Sequence, residues 1–177
     1  ELVSQGDMTM KQRNQLLRDM TDDVAELVLK NNYRQAEALN IAEAFSQESL
    51  DDYIRLIQSL EREGKLNPEL EFLPTEKQLI QRREKGLGLT RPELSVLICY
   101  ARIELKQALI NSWITEDQGF AKEMETAFPA RLLKKFPEAL HNHRLHREIT
   151  ATQIANDLVN RMGITFVNNL SSAIGVG

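Results

Sequence analysis

From Leu50 onward the apolar residues Leu50, Tyr53, Ile54, Ile57 and Leu60 recur at intervals of three and four, the stripe of an amphipathic helix. Ser49 with Asp52 reads as its capping start and Gly64 as its stop. Upstream, Thr9 precedes a first helix that runs to about Met20. Thr21 can cap a second, with Asp22 and Asp23 in its first turn, where negative charge suits the helix dipole. Val24, Leu27 and Val28 share a face of that helix, and Asn31-Asn32-Tyr33-Arg34 interrupts the apolar pattern, so a bend or break is predicted there. A further helical stretch carries Leu39, Ala42 and Phe45.

The pattern stops at "KLNPELEFLPT", residues 65 to 75, whose prolines and Asn-Pro step predict a connector. A short charged helix from Glu76 to Lys85 follows, and "GLGL" at 86 to 89 breaks the chain again. "TRPEL" at 90 to 94 is a helix start: Thr90 caps, Pro92 fits the first turn and Glu93 holds the box position. The next helix, Leu94 to about Asn111, is apolar on most sides over two turns, as a helix surrounded by neighbours would be. A short helix is predicted between the two Phe-Pro steps at 128 to 137. A long one runs from Pro137 to Met162, closed by Gly163, and another from Phe166 to about Ala173.

The composition agrees with an all-helical chain. Good helix formers abound, and neither an alternating β-branched run nor an Asn-Gly or Asp-Gly turn occurs. The expected fold is an irregular all-α bundle of about seven to nine helices with no sheet. It divides into a helical subdomain over 1–64, a connector with a short helix over 65–89, and a helical bundle over 90–177. The alternative is a single domain. Net charge is −4, which argues against a nucleic-acid partner. No apolar run approaches the roughly 20 residues of a membrane span, and no secretory leader is visible. Cys99 stands alone, so no internal disulfide can form, which fits a reducing, cytoplasmic setting.

The one chemically suggestive string is "HNHRLHRE", residues 141 to 148, which holds all three histidines. On a continuous helix His141 and His143 point about 160° apart, whereas His143 and His146 are about 60° apart. Two ligands do not make a structural zinc site, which normally has four. A metal-dependent hydrolase using His141, His143, His146 and Glu148 is therefore a weak reading beside a partly exposed helix start, with His143 pairing Arg147 or a partner backbone. Asp22-Asp23 and Asp51-Asp52 sit in first turns and read as capping acids, not dyads. "GLGL" lacks the third glycine and the preceding strand of a dinucleotide fingerprint and reads as a turn. Cys99 has no local base and reads as structural. Thr152, Asn156 and Asn160 recur every fourth residue in an otherwise apolar helix. If inward, they dock that helix on another; if outward, they are solvated. Together with Arg147, Thr90 and Glu93 they are the structural and interface candidates.

Longer strings carry a family resemblance. "GDMTMKQRNQLLRDMTDDVAELVLKNNY", "LEFLPTEKQL", "GLGLTRPELSVLICYARIEL" and "HRLHREITATQIANDLVNRMGITF" resemble the C-terminal region of the very large bacterial NAD-specific glutamate dehydrogenases, in unbroken order from about Gly6 to Phe166. The resemblance implies a parent enzyme that converts L-glutamate to 2-oxoglutarate and ammonia with NAD as hydride acceptor. It places the substrate lysines and the Gly-rich turn upstream, so no catalytic, cofactor or metal residue is expected in these residues. It implies as partners an upstream dehydrogenase domain, which residues 1–64 would follow, and copies of the same chain in a homo-oligomer. The start at Glu1 fits a piece of something longer. The family pattern "HRLRREI" keeps His143, puts an arginine where His146 stands and leaves His141 outside. The expected role is structural: packing on the catalytic domain or a neighbouring subunit, through the apolar 94–111 helix and the 152–160 amide row. The alternative is a free-standing regulatory or interaction module, with an effector pocket between the 94–111 and 137–162 helices lined by Arg102 or Arg144.

Overall fold

A computed structural model describes residues 3, 6, 8–166, 168 and 169. Among them the chain forms nine α-helices and two short 3-10 turns, with no strand. Helix α1 spans Met10–Asp19 and opens on a complete capping box, in which Thr9 Oγ1 accepts the Gln12 N–H and Gln12 Oε1 accepts the Thr9 N–H. Helix α2 spans Thr21–Ala44 without interruption. The break predicted at 31–34 is absent: Asn and Tyr cost only a few tenths of a kcal/mol each in a helix, and no Gly or Pro stops propagation. Thr21 is already helical; the cap position is Met20, and Thr21 Oγ1 donates back to the Leu17 carbonyl at 3.2 Å.

Helix α3, Leu50–Arg62, buries the predicted stripe. Ser49 makes no side-chain capping bond, contrary to the capping-box reading. Gly64, at φ +69°, ends it: the Gly64 N–H reaches the Glu61 carbonyl and the Lys65 N–H reaches that of Leu60, the paired bonds of a Schellman stop. Helix α4, Glu76–Glu84, ends the same way at Gly86, with bonds to the carbonyls of Arg83 and Arg82. Helix α5 spans Arg91–Ile110. Residues 112–127, for which the pattern predicts nothing, hold the 3-10 turns Ile114–Glu116 and Gln118–Phe120 and helix α6, Ala121–Glu125. Helix α7 is Ala130–Lys135.

The predicted 137–162 helix is two. Helix α8 is Pro137–His141 and helix α9 is His146–Met162. Between them the His143 N–H bonds to the Leu140 carbonyl and the His146 N–H to the His143 carbonyl, successive tight turns in place of the ladder. Asn and His are indifferent helix formers, and His143 Nδ1 takes the Leu145 N–H at 3.1 Å, a local bond that competes with helix. Of the predicted helix after Thr165, Phe166, Asn168 and Asn169 are helical and the remainder lies outside the described residues.

Helices α5 and α9 run antiparallel as the central pair, with α2 and α6 packed on them and α3 joined through the same buried cluster. One buried cluster takes residues from Ala42 to Ile164, including Leu94, Leu97 and Ala151, each 0% exposed. A second, small cluster joins Met8, Leu16 and Met20 to Leu132 and Phe136, tying α1 to α7. No helix among the described residues is long and apolar enough to cross a membrane.

Candidate functional site

The histidine string occupies the α8–α9 break, so the helical angles expected for it do not apply. His141 closes α8 and His146 opens α9, and the turn brings these two together, ring centroids 5.9 Å apart and edge-on. His143 faces away toward Phe128 at 6.3 Å. Of the two expected partners, Arg147 or a backbone group, it takes the second: its Nδ1 accepts the Leu145 N–H. Among the described residues no three His, Cys, Asp or Glu side chains converge on a point that could hold a metal ion.

The acidic pairs are engaged in ion pairs. Asp23 meets Arg131 at 3.4 Å, while Asp51 meets Arg83 and Asp52 meets Arg55. In "GLGL", Gly86 supplies the left-handed stop of α4 and Gly88 lets two segments touch. A Cβ on Gly88 would stand 2.5 Å from the Ser46 carbonyl carbon and 2.7 Å from the Gln47 nitrogen. The Ser46 hydroxyl, buried, donates to the Leu89 carbonyl at 2.9 Å. The space a phosphate would need is filled by the end of α2.

Of the remaining candidates, Glu93, Arg147 and Asn160 make contacts between elements. Glu93 accepts the Thr90 N–H at 2.6 Å and both arms of the Arg82 guanidinium, at 2.6 and 2.9 Å. Burial pushes the Glu93 carboxyl upward, but the Arg82 and Thr90 hydrogen bonds outweigh it and hold the group below its ordinary value. Arg147 donates to the Ile110 carbonyl at 2.8 Å and pairs Glu116, closing the C-terminal end of α5 from α9. Asn160 accepts from Arg102 Nη2 at 2.6 Å across the α5–α9 seam. Thr152 instead bonds within its own helix, to the Glu148 carbonyl at 2.6 Å. All three members of the 152–160 row are half-buried, between the inward and outward expectations. Cys99 is exposed, not buried as a structural cysteine would be.

Sequence reasoning missed the largest open feature. Over residues 24–37 of α2 every side chain except half-buried Leu27 is exposed. Val24 and Val28 lie on one side, and Leu29 and Tyr33, 68% and 70% exposed, lie about 140° further round. A helix apolar on two sides is normally enclosed. The signal was available in the absence of Gly or Pro from 21 to 44, which favours one rigid helix over two short ones. By contrast α5, expected to provide a docking face, buries Leu94, Leu97, Ile98, Leu105 and Leu109 in the internal core and leaves Ile103 exposed.

The fold and these contacts define an all-helical bundle: antiparallel central helices, cross-helix contacts, and one long helix exposed over its middle. Residues 86–177 match the family model "Glutamate dehydrogenase, C-terminal", and residues 1–42 match the model "Bacterial NAD-glutamate dehydrogenase, catalytic domain". The chain belongs to the glutamate dehydrogenase C-terminal family. It is 53% identical to the NAD-specific glutamate dehydrogenase of Pseudomonas aeruginosa, 49% to that of Halomonas elongata and 37% to that of Mycobacterium tuberculosis, in each case over 99% of this chain. It spans 11% of the length of each of those relatives.

Proposed function

We propose that these residues are the C-terminal helical part of a cytoplasmic NAD-dependent glutamate dehydrogenase, and that their role in it is structural. The parent would oxidatively deaminate L-glutamate to 2-oxoglutarate, with the reacting groups and NAD held elsewhere in the chain. The observation that carries this reading is helix α2. The catalytic-domain match ends at residue 42, inside a helix that runs unbroken from Thr21 to Ala44. Ala38 and Ala42 are buried in the module, whereas Val24, Val28, Leu29 and Tyr33 are not. Helix α2 is then a strut about 36 Å long, anchored in the module at one end and enclosed by the catalytic part over the rest. Such a strut transmits orientation between the two, and it contains no hinge.

The test is Leu29→Glu with Tyr33→Glu in the full-length enzyme, read as glutamate-dependent NADH formation and as assembly by light scattering. A fall of tenfold or more in turnover, with NAD affinity retained, is expected. Unchanged turnover and assembly would remove the strut reading. A homo-oligomer is part of the same proposal: the covering surface then belongs either to the same chain or to a neighbouring subunit, and disulfide trapping from Tyr33→Cys identifies which.

A further inference from the structure

Among the described residues four arginines are half-buried, and three of them hold a carboxylate: Arg82 with Glu93, Arg91 with Glu43, and Arg147 with Glu116. Arg102 is the fourth. Its Nη2 reaches only the neutral Oδ1 of Asn160, and its Nε is buried without a partner. Burial pulls the Arg102 guanidinium below its ordinary value, with nearby Cys99 opposing weakly. The guanidinium nevertheless stays charged at neutral pH. A desolvated charge with only a neutral partner is the exception in folded proteins.

The surroundings repeat the imbalance. Arg147 to the Ile110 carbonyl and Arg102 to Asn160 are two crossings of one antiparallel pair. One turn along from Arg102, that register sets Lys106 beside Asn156. Both are half-buried, and Lys106 forms no ion pair among the described residues. Cys99 lies one turn the other way on the same face of α5 and is exposed. The seam therefore presents two cations and two amides with no acid among them.

We infer that this seam, centred on Arg102 and Lys106, is a docking strip for a carboxylate-bearing surface of the catalytic part of the parent enzyme. The inference rests on the proposed reading of the chain as one part of that enzyme. Charge selects an acidic occupant. Helix α2 selects its source, because it packs on both α5 and α9 while residues 21–42 of it fall within the catalytic-domain match. That part of the enzyme is thereby brought next to the strip, and most of it lies outside a chain that spans 11% of its relatives.

Cys99 is a built-in reporter. In the full-length enzyme, N-ethylmaleimide labelling of the Cys99 peptide is followed by mass spectrometry for the native protein, Arg102→Gln and Lys106→Glu, at low and at 1 M salt. Labelling of the native protein at low salt should be at least tenfold slower than in either variant. High salt, which screens the pairing, should bring it to the variants' rate. Equal rates in native and variant proteins at low salt would overturn the docking strip. So would protection that appears only on adding 2-oxoglutarate or succinate, which would assign the strip to a free dicarboxylate. Val28→Cys, labelled in parallel, separates the two readings. If Val28→Cys is protected and Cys99 is not, this inference fails alone. If both label freely, the strut reading fails with it.

Discussion

The α5–α9 pair and the middle of α2 spend the same kinds of residue in opposite ways. In the pair, Leu94, Leu97, Ile154 and Val159 are enclosed, and Arg147 fastens α9 to the end of α5. In α2, two valines, a leucine and a tyrosine stand in the open, between the Asp23–Arg131 pair at one end and the buried Ala38 and Ala42 with the Glu43–Arg91 pair at the other. The first region is a core complete in itself. The second is a helix with four large apolar side chains in the open, and soluble proteins rarely leave such a surface bare. The difference locates where this module ends and where its surroundings begin.

The largest test of that contrast is Leu97→Ala. The side chain is 0% exposed, and truncation should cost about 2–5 kcal/mol, seen as a clear drop in the denaturant midpoint of the 177-residue chain. A loss below about 1 kcal/mol would mean that the pair is looser than its burial implies. Gly88→Ala comes next. Its Cβ would meet the Ser46 hydroxyl and also the backbone of Ser46 and Gln47, so overpacking of about 1–3 kcal/mol is expected. A thermal melt unchanged from the native chain would show that α2 and the 86–89 turn do not touch as described.

Most of the architecture was readable because local chemistry announces it. Thr9 and Thr90 start helices, Gly64 and Gly86 stop them, and the stripe from Leu50 to Leu60 shows which face is buried. The errors share a cause. At Asn31-Asn32 weak propensity was given the weight of a break, although neighbouring helix formers carry the ladder through. At Asn142-His143 the same weak propensity was overridden by apolar spacing on either side, although here a His143 bond to Leu145 ended the helix. Residues of middling propensity are decided by what flanks and contacts them, which a linear pattern does not contain. The site candidates divide similarly. Thr90 and Glu93 could be read locally, whereas the partners of Arg147 and Asn160 lie 37 and 58 residues away and needed the fold.

Glu93 sharpens the comparison from the polar side, because its pair with Arg82 is half-buried, whereas the two ion pairs of α2, Asp23–Arg131 and Glu43–Arg91, are more exposed. Glu93→Gln leaves Arg82 half-buried without its carboxylate, and should cost about 1–3 kcal/mol at neutral pH. The pH dependence has a definite sign. The folded carboxyl titrates below its ordinary value of 4.5, so its stabilisation is full above that value and is lost as pH falls through the lower folded value. Native and Glu93→Gln chains should therefore converge in stability in acid and diverge toward neutrality. A constant gap across that range would mean that the Arg82 pair contributes nothing.

The smallest expected effect is the most informative about α2. Leu29→Ser removes an exposed leucine and substitutes a residue of slightly lower helix propensity. In the 177-residue chain the change in stability should stay within about 0.5 kcal/mol, against several for Leu97→Ala. In a full-length enzyme the same substitution would place a hydroxyl in an enclosed apolar contact, and the loss should rise to about 1–3 kcal/mol, measured as a lower midpoint for inactivation by urea. The ratio of the two effects at one residue measures how far α2 is covered by the rest of the enzyme. Equal small losses in both contexts would leave the helix open and return the burden of docking to the α5–α9 seam alone.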